Sequence, residues 1–252
     1  MDVSITGPKI LFTIPTKIPI LGDIPITETM TVSWAVLALI TILCIWLTRD
    51  LKVEKISKRQ AVAEMLYEMA MNFVDDTMGK KFMNFVPFIA ALFTTSLISN
   101  LAGLVGFRSP TADLSVEAAW AIMVFVLITK EKLKAGGVLG YMKGFTQPIP
   151  VLTPFNILSE LATPISMACR HFGNILSGLV INGLIYAALT TLSGFVFGLL
   201  PGLLGDLLSQ IPFLAVGIPA VTSVYFDWFS GFMQAFIFCM LTTMYIADAA
   251  EG

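Results

Sequence analysis

The second half of the chain contains two apolar runs that are each far longer than a bilayer is thick. The first, residues 155–200, spans 46 residues and would measure about 69 Å as a continuous helix; the second, residues 205–248, is nearly as long. The hydrocarbon core of a bilayer measures only about 30 Å, so neither run can stand upright across it. We therefore predict two strongly tilted or broken helices, with Pro164, Pro212 and Pro219 as candidate kink points.

Three further apolar segments have the length of a membrane span, at residues 31–49, 85–107 and 114–130. Charged residues make up only 13% of the chain, whereas a soluble domain carries about 25%. Between the first two segments, apolar residues recur at helical spacing among charges, which is typical of an amphipathic helix on a membrane surface. These patterns predict an all-α integral membrane protein with about five membrane helices and one amphipathic surface helix, the last two long, strongly tilted and paired as an antiparallel hairpin.

The basic residues predict how the chain is oriented in the membrane. Eleven of the fifteen lysines and arginines fall in residues 49–81 and 130–143, which the positive-inside rule assigns to the cytoplasm. The N-terminus is then outside and the C-terminus is cytoplasmic, in a multi-pass protein of the cell membrane. The predicted single membrane domain, 1–252, comprises an extracytoplasmic segment (1–29), a first span (31–49), a cytoplasmic amphipathic linker (50–81), a helix hairpin (85–130), a cytoplasmic loop (131–153) and the long tilted hairpin (155–248).

Polar residues inside the long hairpin form two opposed stripes. Arg170 and Asn174 are four residues apart and share one helix face, whereas Asp227, Ser230 and Gln234 share a face of the other helix. If the hairpin turns near residues 201–202, Arg170 lies opposite Gln234. A second stripe, His171 with Asn182, runs about a third of a turn away from the first.

Arg170 is the most unusual of these residues. Asn and Gln in membrane helices often serve only to hold helices together, and Asp227 could sit in water at a helix end. A charge in mid-helix costs about 3 kcal/mol on insertion scales, so Arg170 needs a functional reason. Its carboxylate partner could be Asp227, Glu160 or a residue of another subunit.

Three stretches of the sequence resemble subunit a of the F-type ATP synthase. PISMACRHFGN is similar to that family's P-x-S-x-x-x-R-L-F-G-N, and MQAFIFCMLTTMYIADA is similar to its Q-A-F-I-F-x-x-L-T-x-x-Y. NLAGLVGFRSPTADLSVEAAWAI resembles N-L-x-G-L-x-P followed by P-T-A-D-L-x-x-T-L-x-L-A. The matching blocks extend over residues 85–248 in the family's order.

The resemblance implies an ion-conducting stator subunit of the membrane sector. It implies that Arg170 faces a ring of c subunits, each with one carboxylate within the membrane, and that two aqueous half-channels lead to and from the ring. The other implied partners are the subunit b peripheral stalk, the F1 ATPase sector and membrane lipids. No Walker motif, metal-binding spacing or nucleophile elbow occurs in the sequence, so we expect no bound nucleotide, no cofactor, no metal, no catalytic residues and no nucleic acid partner.

The sequence departs from the family pattern at two positions near Arg170. His171 stands where leucine is common, and Leu179 stands where the family often has glutamate or histidine. Asp227 therefore carries the titratable half-channel role alone, or together with His171 or Asn182. The coupling ion is a proton or sodium. The alternative function, an independent ion channel or secondary transporter, would require paired midplane charges and usually internal repeats, and the sequence has no clear repeat.

Overall fold

The computed structural model describes residues 8–15, 23–54, 56–198, 215, 221–222 and 224–251, without the side chains of residues 226 and 227. A short antiparallel hairpin of β1 (Ile10–Ile14) and β2 (Ile24–Thr27) leads directly into the first helix. The α-helices are α1 (Glu28–Thr48), α2 (Lys58–Met78), α3 (Val86–Leu101), α4 (Leu114–Gly144), α5 (Thr153–Gly198) and α6 (Gly231–Glu251). A π-helical turn, Val224–Ser230, immediately precedes α6.

Four stretches of the described chain are long and apolar enough to cross a membrane: Glu28–Thr48, Lys80–Val105, Pro150–Gly198 and Trp228–Glu251. They confirm the prediction of an all-α membrane protein. The predicted third span, which forms the first half of α4, is not among the four. It carries Glu117 near its start and Lys130 at its end, and Glu131 follows directly, so this part of α4 is less apolar than the others.

Helix α4 continues beyond the end of the predicted span. Residues 131–153 were expected to form a loop, but the helix extends to Gly144, and helical residues start again at Pro150. A Glu131–Lys134 ion pair three residues apart stabilises the start of this extension, whose later part contains four glycines. The backbone leaves helical geometry within it at Gly137, whose φ of 65° is one that glycine adopts readily.

Helix α6 lies at the centre of the helix bundle. Its apolar side chains Phe238, Cys239 and Ile246 are buried in a core that also receives residues from α2, α3, α4 and α5. Helices α3 and α4, predicted as a hairpin over residues 85–130, both pack against α6. This arrangement leaves one side of α4 free to pack against α5, and that contact positions the candidate site.

The amphipathic linker forms α2, as its spacing predicts. Val62, Met65, Leu66 and Met69 are exposed, so the first turns of α2 present an apolar stripe that no other described element covers. Its last turns enter the core, where Val74 is fully buried. An exposed apolar stripe on a charged helix suits a position at the membrane surface.

Helix α5 is one of the two long helices that the sequence predicts. It runs without a break over 46 residues, about 69 Å, so it can lie within a bilayer only if it is strongly tilted. Pro164 lies inside it, and the helix continues on both sides even though proline lacks the backbone N–H that would bond to Glu160. The other predicted kink points, Pro212 and Pro219, and the predicted turn at 201–202 lie outside the described residues.

A buried polar cluster fixes the start of α6. Asn100 Nδ2 at the end of α3 donates to the Gly231 carbonyl at 2.8 Å, and Thr111 Oγ1 donates to Asn100 Oδ1 at 2.5 Å. A Cβ atom on Gly231 would lie 3.0 Å from the Cβ of Asn100, so glycine permits this close approach. The cluster therefore anchors α6 directly after the π-helical turn.

Candidate functional site

The centre of α5 presents an exposed polar stripe, part of which borders α6. Arg170, Asn174 and Ser177 are all exposed, at positions separated by four and three residues. Large apolar side chains on both sides of them along the helix are exposed as well, including Ile165 and Leu184. Among the described residues, the Arg170 guanidinium has no hydrogen bond or ion pair. A permanent positive charge thus lies on an otherwise apolar outer surface.

The two polar stripes of the long hairpin meet at Asn174. Its Nδ2 donates to Ser230 Oγ at 2.9 Å in the π-helical turn and to Gln234 Oε1 at 3.3 Å in α6. The predicted register pairs Arg170 with Gln234. In that register Asn174, four residues after Arg170, pairs with Ser230, four residues before Gln234, and this is the contact observed. His171, which precedes Asn174 on α5, contacts Phe238, which follows Gln234 on α6. The contacts therefore run in opposite directions along the two helices, so α5 and α6 are antiparallel, which confirms the predicted hairpin.

This register predicts a strong disulfide crosslink. Cysteines replacing Asn174 and Ser230, in a protein lacking Cys44, Cys169 and Cys239, should crosslink efficiently on mild oxidation, because a disulfide requires Cα atoms within about 7 Å. The matched control moves the first cysteine to residue 172, which lies more than half a helical turn away. Mobility on non-reducing gels measures the yield. Equal crosslinking of both pairs would show that the register is wrong.

His171 points into the bundle rather than along the exposed stripe. Its side chain is 0% exposed, and Nδ1 lies 2.9 Å from Oε2 of Glu117, whose side chain is also 0% exposed. Glu117 is not among the site residues predicted from the sequence. The available signal was an acidic residue inside an apolar run, the same signal that singled out Asp227.

The remaining predicted site residues lie apart from this pair. Asn182 is half-buried three turns beyond His171, and its Oδ1 has no hydrogen-bond partner among the described residues. Asp227 belongs to the π-helical turn, and its side chain lies outside the described part of the chain. Gln234 is almost fully buried and accepts the bond from Asn174.

Glu160 is not the partner of Arg170, although the sequence left that pairing open. Its carboxylate forms an ion pair with Lys132 Nζ of α4 at 2.6 Å. The two residues are ten positions apart on one helix, so they lie about 15 Å apart along its axis and about 80° apart around it. Glu160 therefore faces α4 while Arg170 faces outward.

A polar cavity of about 660 Å³ opens around Glu160 between α4, the start of α5 and the end of α6. Asn156, Glu160 and Thr163 line it from α5, and Tyr141 lines it from the end of α4. Burial and the neighbouring Glu160 carboxylate raise the pKa of Tyr141, so its hydroxyl keeps its proton, 3.5 Å from Glu160 Oε1. Along α5 the cavity reaches Thr163, about two helical turns before Arg170.

Comparison with known proteins gives a consistent result. Residues 30–247 match the ATP synthase A chain family. The chain is 33% identical to ATP synthase subunit a 1 of Chlorobaculum parvum, over 91% of each chain. It is 30% identical to ATP synthase subunit a of Moorella thermoacetica, covering 94% of this chain and 97% of that protein. It is also 29% identical to the sodium ion specific ATP synthase subunit a of Propionigenium modestum, over 96% of this chain and 84% of that protein.

Proposed function

The chain belongs to the ATP synthase A chain family and so to the ion-conducting stator of the membrane sector, and from that premise we propose that Arg170 is the group that the ring of c subunits passes during ion translocation. The observation that carries this proposal is the exposed guanidinium in the middle of an apolar 46-residue helix, without a partner among the described residues. A charge in that position requires a counter-charge. Because Glu160 is paired with Lys132, we assign that role to a carboxylate of another chain in preference to Asp227.

A guanidinium suits this role because it stays charged at physiological pH and does not pass protons. A ring carboxylate that meets Arg170 is held in its ionised form, since an opposite charge favours the charged state. The coupling ion must therefore leave the ring on one side of Arg170 and bind on the other. Moving one charge through 100 mV releases about 2.3 kcal/mol, which the ring converts into rotation.

Two aqueous half-channels complete the path. The polar cavity around Glu160 supports an inner half-channel, because it lies at the basic end of the helices, which the charge distribution assigns to the cytoplasm. We assign the outer half-channel to Asp227, with Asn174, Gln234 and Asn182 as polar neighbours along it. In this orientation the N-terminus is outside and the C-terminus is cytoplasmic.

Purification of the assembled complex tests the function as a whole. We expect the tagged chain, extracted in mild detergent, to bring down a ring of small subunits with one membrane carboxylate each, a peripheral stalk subunit b and a soluble ATPase sector. The chain binds no nucleotide in this proposal. Reconstituted alone in liposomes, it should transport no ions. Ion transport by the isolated chain would instead favour an independent channel or transporter.

A further inference from the structure

The buried contact between Glu117 and His171 joins two titratable groups next to the proposed path. It ties the first turn of α4 to α5 at the residue that follows Arg170. The rings of Trp120 and Phe238 flank the imidazole, at centroid distances of 6.2 and 5.6 Å. A carboxylate and an imidazole buried in a membrane protein are costly unless they are paired, and such pairs commonly mark proton pathways.

The pair has unused hydrogen-bonding capacity. All four polar side-chain atoms of the pair are buried without a hydrogen bond among the described residues, so the 2.9 Å approach of Oε2 to Nδ1 is a close contact that lacks hydrogen-bond geometry. Two of the four, Glu117 Oε1 and His171 Nε2, lie outside this contact. Buried polar atoms normally have a partner, so atoms left without one need an explanation such as exchange with water or a proton. Both atoms are therefore available to a transferred proton.

A second cavity lies close to the pair, separated from His171 by the ring of Trp120, and neither Glu117 nor His171 lines it. It has a volume of about 300 Å³, lies between α1, α3 and α4, and ends at Trp120, whose ring contacts His171. Its polar lining consists of the hydroxyl-bearing residues Ser33, Thr95, Ser99 and Ser115. It lies near the start of α4, at the end of the bundle opposite the polar cavity around Glu160, so it suits access from outside.

We propose that Glu117 and His171 form a proton-exchanging site on the outer side of the path to Arg170, a proposal that rests on the stator function above. In its deprotonated state the pair consists of a neutral imidazole and a carboxylate. The imidazole takes one proton from water and becomes imidazolium, which leaves the pair with no net charge. Release of that proton to water of the ion path restores the first state.

Two charged residues of the described chain lie next to the pair in sequence. Helix α5 contributes Arg170, which precedes His171 directly and faces outward, and Asp113 lies one turn before Glu117, where it caps α4. Helix α6 presents Gln234 and Phe238, neither of which titrates.

The test measures ATP-driven acidification of inverted vesicles that contain the whole complex, between pH 6 and pH 9. Glu117→Gln removes the titratable carboxylate of the pair, so pumping should fall about tenfold and its pH profile should change. Exchanging the two residues, in the double variant Glu117→His with His171→Glu, should restore the profile. Glu131→Gln is the matched control, since Glu131 is also buried on α4 and is paired with Lys134; it should leave the profile unchanged.

The double variant Glu117→Thr with His171→Leu separates proton exchange from packing. Replacing both partners of a buried ion pair is often tolerated by the fold, so the complex should assemble but pump slowly at every pH. A wild-type rate and profile in this variant, or failure of all these variants to assemble, would overturn the proton site. An Arg170→Ala complex measured alongside keeps the two proposals distinct, because pumping by that complex would refute the stator function itself.

Discussion

Replacing Arg170 with alanine should abolish both ATP synthesis driven by the ion gradient and ATP-driven pumping, while the complex still assembles. The side chain is exposed and has no partner among the described residues of its own chain, so its removal leaves no buried charge unpaired and opens no core cavity. Without the positive charge, a loaded ring carboxylate can move back and forth between the two half-channels, so ions cross the membrane without net rotation and the gradient is dissipated. Synthesis and pumping in inverted vesicles measure the loss, and immunoblots of the purified complex check assembly.

Arg170→Lys is the sharper variant, because it keeps a positive charge. Lysine lacks the planar fork that pairs with a carboxylate through two bonds, and its ammonium can lose a proton when it is desolvated, so synthesis should still fail. Ser166→Ala, one turn earlier on the same exposed face, is the control and should reduce the rates little. Near-normal coupled synthesis by Arg170→Lys would contradict the role assigned to the guanidinium.

Replacing Asp227 with asparagine should slow ATP-driven pumping strongly, with the complex intact. Asparagine has nearly the same size but cannot take up and release a proton, so an outer half-channel that depends on this carboxylate would lose its relay. Asp227→Glu keeps a titratable group and should retain part of the rate. Pumping in inverted vesicles by both variants is the measurement.

The competing explanation is that Asp227 only sits in water at a helix end. It predicts that both variants pump normally. Glu251→Gln, at the exposed end of α6, shows how small the effect of a solvated acidic residue is. If Asp227→Asn pumps at the wild-type rate, Asp227 is not the relay, and the outer path would have to depend on Glu117, His171 and Asn182.

Length and periodicity were sufficient to predict much of this fold. A run of 46 apolar residues has few structural alternatives to a long tilted helix, and the short connection between the last two runs makes them antiparallel neighbours. The same reasoning gave the register in which Asn174 meets Ser230. These features depend on local helix geometry and on the thickness of the bilayer, both of which can be read from one sequence.

The contact between Glu117 and His171 could not be predicted in the same way. It depends on α6 packing against both α3 and α4, so that α4 meets α5 on its other side. The periodicity of one helix identifies its apolar face but does not identify the helix that covers this face. The ion pair of Glu160 with Lys132 and the continuation of α4 to Gly144 were missed for a related reason, since they arise where α4 and α5 pack beyond the predicted span.

The π-helical turn also determines where this chain can change length. A π-helix contains more residues per turn than an α-helix, so Val224–Ser230 corresponds to a residue inserted into an otherwise α-helical segment. Deleting one residue there would convert the turn to α-helix and leave α6 anchored at Gly231 by Asn100. The same deletion after Gly231 would rotate the rest of α6 by about 100° within the core. In an alignment of this chain with a relative that is purely α-helical at this point, a one-residue gap therefore belongs within 224–230.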